Sequence, residues 1–282
     1  MDENLKSTLK IRGGVIPYGV VSLSGDSEAA VFHLVQSFFN EKKVTLENVP
    51  RSGLVLDFIA ILKQLGVEIL WNNETTLTVS IPPEISEDLA SPNISYKFVQ
   101  ILAPAILFRK GSCTVPLTFR QESKFYREIG FDIDPNNASI LIRRNFIKNS
   151  EVEKQIKTIG ENLYFAASRI FISYFNPNIS VQYNRTDYRL RNIEKMNSGN
   201  RIKIPFNQFE FNLFTSMASL TSAEVIIENY DLSESLQFLM LFDEMAGNYE
   251  VVGGKLKIWR HQKNLNDLYE FLTLSFDALG YL

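Results

Sequence analysis

Apolar side chains at Leu54, Phe58, Leu62 and Leu65 recur every three or four residues, a spacing that predicts one buried helical stripe. Gly66 follows at the position where a left-handed cap is expected. Val67-Glu68-Ile69 then alternates as a half-buried strand does, and Asn72-Asn73-Glu74 predicts a turn into a second strand over 76–81. Pro82-Pro83 punctuates its end. Ahead of this group, Ala29, Ala30, His33, Leu34 and Phe38 predict an earlier helix whose small residues permit close packing.

The same order returns later in the chain. Val44-Thr45-Leu46-Glu47-Asn48-Val49 is answered 181 positions on by Val225-Ile226-Ile227-Glu228-Asn229-Tyr230, each a β-branched strand ending in Glu-Asn. At the same offset Gly66 falls on Gly247, and with a slip of two residues Leu77-Thr78-Val79 answers Leu256-Lys257-Ile258. Four matched features in one order mark an internal repeat of helix, strand, helix, glycine, strand, strand. Weaker copies lie between. One has an apolar helix over 96–108, expected to break or kink at Pro104, a strand over 114–117, a helix near 122–129 and Gly130. Another runs from a helix over 161–174 to a strand over 179–183. Where its second helix is due, 184–191 reads as a turn leading to a further strand. A last unit opens with a helix near 265–279, giving four units and the start of a fifth.

Bulk composition narrows the function classes. The 282 residues suffice for two domains, and 45% apolar with 22% charged residues is the balance of a globular protein. A net charge of −3 without a dense basic run argues against a nucleic-acid protein. The single cysteine, Cys113, excludes an internal disulfide and fits a small buried residue in a reducing compartment. No stretch approaches the ~18 consecutive apolar residues of a membrane span. With no apolar stretch at Met1-Asp2-Glu3-Asn4, a cytoplasmic location is expected.

Ile11-Arg12-Gly13-Gly14, Gly19, Leu23-Ser24-Gly25, Ala29-Ala30 and Leu46-Glu47-Asn48-Val49-Pro50-Arg51 together resemble the enolpyruvyl transferases. Within that family they look most like UDP-N-acetylglucosamine 1-carboxyvinyltransferase, of peptidoglycan precursor synthesis. The resemblance is good over 8–82, patchy from 96 to 135, faint to 205 and moderate again to about 258. It implies a mixed α/β protein of two inside-out α/β prisms built from repeated helix-strand-helix-strand-strand units. The expected domains are 23–190, with three units, and 1–22 plus 191–282, an incomplete second prism.

The family's catalytic side chains are carried over position by position. Its first helix opens Ser-Gly-Ser-Lys-Asn-Ala, with a lysine that contacts phosphoenolpyruvate; here Ser24-Gly25-Asp26-Ser27-Glu28-Ala29 puts Ser27 at the lysine, between two acids. Such an acidic pair repels a multiply charged anion, though Asp26 and Ser27 also suit a helix cap. The arginine of Met-Arg-Ala-Ser becomes Ala103 in Leu102-Ala103-Pro104-Ala105. The family's mobile loop shrinks to Thr118-Phe119-Arg120-Gln121, where Arg120 either replaces the loop arginine facing the sugar nucleotide or is a solvated charge. Thr158-Ile159-Gly160-Glu161-Asn162 resembles the nucleotide-binding Ser-Val-Gly and Thr-Glu-Asn runs, and reads equally as a helix cap. Pro205-Phe206-Asn207-Gln208-Phe209-Glu210-Phe211 matches Pro-Asp-Arg-Ile-Glu-Ala-Gly, with Glu210 on the glutamate and Asn207 on the catalytic aspartate. An amide has no proton to exchange near neutrality and cannot be that base.

The resemblance therefore implies loss of enolpyruvyl transfer, with no catalytic residues and no cofactor. Candidate ligand contacts are Asp26, Glu28, Arg120, Thr158, Gly160, Asn207 and Glu210, expected to face an interdomain cleft. His33 and His261 lie at no metal-ligand spacing, so no metal site is expected. Arg185, Arg189, Arg191, Lys195, Arg201 and Lys203, interleaved with Tyr183 and Tyr188, read as a solvated hairpin edge or an anion-binding strip. Two functions compete: binding or assembly, through helix faces over 209–220 and 265–279, in a homo-oligomer or with a full-length relative; and an enzyme with a changed, cationic or neutral substrate.

Overall fold

The computed structural model describes residues 18–145, 154–158, 162–176, 178–194, 200–221, 223–244 and 247–259. The run 11–14, Gly160, Lys195, His261 and the helix expected at 265–279 lie outside these residues. Two compact units result, Ser24–Phe206 and a second that joins the residues up to Leu23 to those from Asn207 onward.

In the larger unit three helices, α1 (Ser27–Gln36), α3 (Tyr96–Lys110) and α5 (Leu163–Ser173), are buried on almost every side. Aromatic rings join them: Phe32 meets Tyr164 edge-on at 5.3 Å between centroids, and Phe39, just past α1, stacks on Phe171 at 5.6 Å. Sheets lie outside the helices. Strands β2 (Val44–Glu47), β3 (Glu68–Trp71), β4 (Leu77–Ser80) and β10 (Arg201–Lys203) form a sheet of order β10-β2-β4-β3. It turns Val44, Leu46, Leu77 and Val79 inward and leaves Thr45, Glu47, Thr78 and Ser80 partly exposed, the period-2 pattern of a one-sided sheet. Strands β5 (Ser112–Pro116), β6 (Asp132–Pro135) and β7 (Ser139–Arg143) form a second sheet; β8 (Lys154–Lys157) and β9 (Ile179–Gln182) pair in parallel. Helices α2 (Gly53–Gln64), α4 (Arg120–Glu128) and α6 (Tyr188–Glu194) complete the three repeats.

The smaller unit is one such repeat. Strand β1 (Tyr18–Ser22), β11 (Glu224–Glu228), β12 (Asn248–Val252) and β13 (Lys255–Trp259) form a sheet of order β1-β11-β13-β12, accompanied by α7 (Gln208–Thr221) and α8 (Leu232–Glu244). Its register reproduces that of the first repeat: Val225 faces Ile258 and Ile227 faces Leu256, as Val44 faces Val79 and Leu46 faces Leu77. The two Glu-Asn endings match to the atom. Asn48 and Asn229 both hold positive φ, 60° and 58°. Each side-chain amide donates to the carbonyl after the neighbouring parallel strand, Asn48 to Ile204 at 3.1 Å and Asn229 to Leu23 at 2.7 Å. Asparagine is among the few residues that tolerate this conformation, which is why the pair survives in both copies.

Four expectations change. The domain boundary expected after residue 190 falls at Phe206–Asn207, because β10 extends the first sheet beside β2. The stretch 184–191 enters helix α6 rather than a strand, so the third repeat keeps its second helix. Of the break or kink expected at Pro104, the break does not occur: helix α3 continues through it, in fully packed surroundings that offset a proline penalty of ~3 kcal/mol. Gly66 takes the left-handed cap at φ 94°, but Gly247 has no positive φ; a Cβ there would run into the ring of Phe242.

Candidate functional site

The first turn of α1 is where the larger unit concentrates charge. Asp26 caps the helix, its Oδ1 accepting from the Ala29 amide at 2.8 Å, as the sequence allowed. Its other oxygen accepts from the Tyr188 hydroxyl at 2.6 Å. Glu28, one position into the helix, accepts from Arg189 Nη1 at 2.5 Å. The rest of that guanidinium is held by Asp187, through Nε at 3.1 Å and Nη2 at 2.9 Å. Asp187 also accepts from the Arg189 amide at 2.9 Å, opening α6. Ser27, at the position of the family lysine, donates to the hydroxyl of Ser52 at 2.8 Å.

Electrostatics follow from this crowding. Burial holds the Glu28 carboxyl above its ordinary range; Arg189 pulls it down, while Asp26 and Asp187 push it up. Burial alone would lower the Arg189 guanidinium, but its hydrogen bond and charge contact with Asp187, then Glu28 and Asp26, raise it. Both shifts are upward because one arginine serves three carboxylates: the crowd of acids favours a neutral Glu28 and a charged Arg189. Burial, followed by the Asp26 charge, pushes the Tyr188 phenol far up; burial and the Glu28 charge do the same to Tyr164. Neither phenol is an acid–base group near neutrality.

The other site residues scatter. Arg120 is exposed at the start of α4, and Ala103 is buried in α3. Thr158 is buried at the end of β8, its amide and hydroxyl both donating to the Gln182 carbonyl at 2.8 and 3.2 Å. Asn162 caps α5, accepting from the Tyr164 amide at 2.8 Å. In the smaller unit Asn207 caps α7, its Oδ1 accepting from the amides of Phe209 and Glu210 at 3.0 and 3.3 Å. The structure thus brings Asp26 and Glu28 together with Arg189 and Tyr188, two members of the basic strip. Arg201, another member, pairs with Glu47 at 2.6 Å.

Sequence reasoning misses Arg169. Its side chain is 2% exposed, bonded through Nη2 to Glu122 at 2.5 Å and stacked between the rings of Phe125 and Phe165 at 3.3 and 4.1 Å. A cation inside an apolar helix is visible in sequence, but its partner lies 47 residues away. Cys113 is buried, with burial first and Glu87 and Asp88 next holding its thiol protonated. Among the described residues no group of His, Cys, Asp and Glu is arranged to hold a metal ion, and no helix is long and apolar enough to cross a membrane.

Solved structures share this fold. The enolpyruvyl transferase NikO from Streptomyces tendae superposes with a TM-score of 0.62 over 90% of this chain and 68% of its own, at 12% identity. EPSP synthase from Acinetobacter baumannii gives 0.61 over 87% and 64%, also at 12% identity. The fold is that of the enolpyruvyl transferases. Sequence relatives agree. UDP-N-acetylglucosamine 1-carboxyvinyltransferase of Deinococcus deserti is 24% identical over 162 residues, 54% of this chain and 38% of that protein. The Helicobacter hepaticus protein of the same name is 30% identical over 168 residues, 53% and 39%. The one from Chlamydia pneumoniae is 36% identical over 77 residues, 27% and 17%. The matches thus span about two fifths or less of these enolpyruvyl transferases. No family model matches the chain.

Proposed function

We propose that this is an enolpyruvyl-transferase-like protein that does not transfer enolpyruvyl groups to UDP-N-acetylglucosamine and acts by binding or assembly. The observation that carries this reading is the first turn of α1. Where the resemblance places a lysine for phosphoenolpyruvate, Ser27 is tied to Ser52, and the neighbouring guanidinium of Arg189 is filled by Glu28 and Asp187. Asn207, at the position of the family's catalytic aspartate, spends its oxygen on capping α7. General acid–base groups are typically worth ~10²–10⁴ in rate, and an asparagine amide cannot serve as one near neutrality. The acidic pair is also no open seat for a cationic substrate, since both members have partners inside the chain.

Assembly is favoured by apolar side chains left in solvent on the smaller unit. Phe209 and Leu213 lie one turn apart on α7, and Leu232, Leu236 and Met240 follow one another at four-residue steps on α8; Phe209 is 54% and Met240 58% exposed. The chain is read as a cytoplasmic partner in complexes of itself or of a full-length relative. The deciding experiment measures phosphate release from phosphoenolpyruvate and UDP-N-acetylglucosamine, beside a full-length enzyme, with light scattering on the same sample. Background-level release and a mass above one chain are expected. Turnover would overturn the inactive assignment, and a monodisperse monomer at micromolar concentration would overturn assembly with itself.

A further inference from the structure

We propose that residues 265–279 of this chain lie back along the exposed apolar stripe of α7 and α8, closing the face of the smaller unit until a partner displaces them. The proposal rests on the reading above that this face is the assembly surface, and it names how that surface is regulated. The internal repeat shows what the face is built for. Counted 181 positions back, Leu213 falls on Phe32, Leu236 on Val55 and Met240 on Ile59. The structure keeps that register, since Asn207 and Asp26 cap the corresponding helices and Leu239 and Phe58 are both fully buried. Yet Phe32, Val55 and Ile59 are core, whereas Leu213, Leu236 and Met240 are 44%, 48% and 58% exposed. What covers the first copy is another helix: Phe32 meets Tyr164 of α5, from the third repeat. The smaller unit presents the same face with, among its described residues, no third helix to cover it.

The remaining chain has the length and the starting point to supply that helix. Strand β13 ends at Trp259, which faces Glu224 and Asn248, the first residues of β11 and β12. Those strands begin shortly after α7 ends at Thr221 and α8 at Glu244, so β13 stops level with the carboxyl ends of both helices. Residues 260–282 lie outside the described residues. In sequence, Leu265, Leu268, Leu272, Phe276 and Leu279 recur at three- and four-residue steps, the spacing of one helical stripe. As a helix, 265–279 would be about 22 Å long, against about 21 Å for the 14 residues of α7 and about 20 Å for the 13 of α8. The link from Trp259 to Leu265 reaches roughly 20 Å when fully extended, about one helix length, with nothing left for the step from the sheet up to the helices. The stretch therefore begins at the Met240 end of the stripe and runs back toward Leu232, antiparallel to α8.

Hydrogen exchange on the full chain tests this. In the unchanged protein the amides of 265–279 are expected to exchange about a hundredfold more slowly than in Leu236→Asp/Met240→Asp, whose charges leave the stripe unable to hold an apolar helix. Amides of α1 and β2 should exchange alike in both, which marks the variant as folded. Should that variant not fold, Leu272→Asp/Phe276→Asp alters the segment alone and should lose the same protection. With the face left open, this second variant should also self-associate at lower concentration than the unchanged chain; weaker association would overturn the regulatory role. No protection in the unchanged chain, or equal protection in chain and variants, overturns the proposal. Protection that survives dilution supports cover by the chain's own end, and protection lost on dilution assigns the face to a second copy and overturns it. Light scattering on the same samples separates this from the proposed function. A monomer with a protected segment overturns self-assembly alone, and an assembly with an unprotected segment overturns the cover alone.

Discussion

His33 gives the sharpest test of the larger unit's interior. It lies on α1, 2% exposed, in the middle of the helix triad, and its Nδ1 stands 2.7 Å from Gln36 Oε1. With that nitrogen protonated, the neutral ring donates to the amide oxygen, and Gln36 passes its own Nε2–H toward the Tyr174 hydroxyl at 3.5 Å. Burial lowers the imidazolium pKa from 6.5 to about 4, against a smaller upward pull from Gln36. A depressed folded-state value means that the unfolded chain binds the proton first. The stability conferred by the neutral ring is therefore present above pH ~6.5 and is lost as pH falls toward 4. At 1.36 kcal/mol per pKa unit, the loss is ~3 kcal/mol. With a urea slope near 2 kcal/mol/M, the unfolding midpoint should drop by about 1.5 M more in the unchanged chain than in His33→Gln between pH 7 and 4. Parallel pH profiles for the two proteins would refute the argument, as would an NMR titration of His33 centred at pH 6–7.

Two further substitutions probe other parts of the fold. Arg169→Met strands Glu122 in a largely dry site and should cost ~3–5 kcal/mol by urea unfolding, whereas Arg169→Met/Glu122→Leu should recover most of that loss. A double variant as weak as the single one would show that ring stacking, not charge pairing, dominates. Asn48→Val should destabilise by ~2–4 kcal/mol, combining a positive φ that a β-branched residue resists with loss of the bond to Ile204; Asn48→Gly should cost less than half of that. Equal losses would assign the whole effect to the hydrogen bond.

The repeat was legible because its determinants are local. A helical stripe, a strand alternation and the pair Asn48 and Asn229 are each set by neighbours within a few residues, and the structure returns both copies in one register. The interruptions were harder. Pro104 carries a local signal that packing from neighbouring helices overrides, and Gly247 answers to a ring rather than to a torsion. The candidate site was legible only in halves. Asp26 and Glu28 were visible at a helix start, and Tyr188 and Arg189 in a basic strip, but nothing local says that the two meet across 161 or 162 residues. A sequence window shows a charge without its counter-charge. For that reason the acids read as an open, repelling pair, and the arginine as a solvated edge, when Glu28 pairs with Arg189 and Asp26 accepts from the Tyr188 hydroxyl.

The chain passes between its two units at Leu23–Ser24 and again at Phe206–Asn207, and Gly25 is bridged to Phe206 just inside the second passage. In topological terms the larger unit is an insertion, entered and left through one doorway. Strand β1 emerges from the ribosome well before its partner β11, which follows only after some two hundred residues, as the register of Tyr18 with Glu224 requires. The entropy of closing so long a loop falls sharply once the inserted unit has folded and brought its own ends together. Synthesis therefore imposes an order in which the inserted unit matures alone and the smaller unit is sewn shut afterwards. During that interval β1, with Tyr18 and Val20 bare, is an unpaired strand in need of protection.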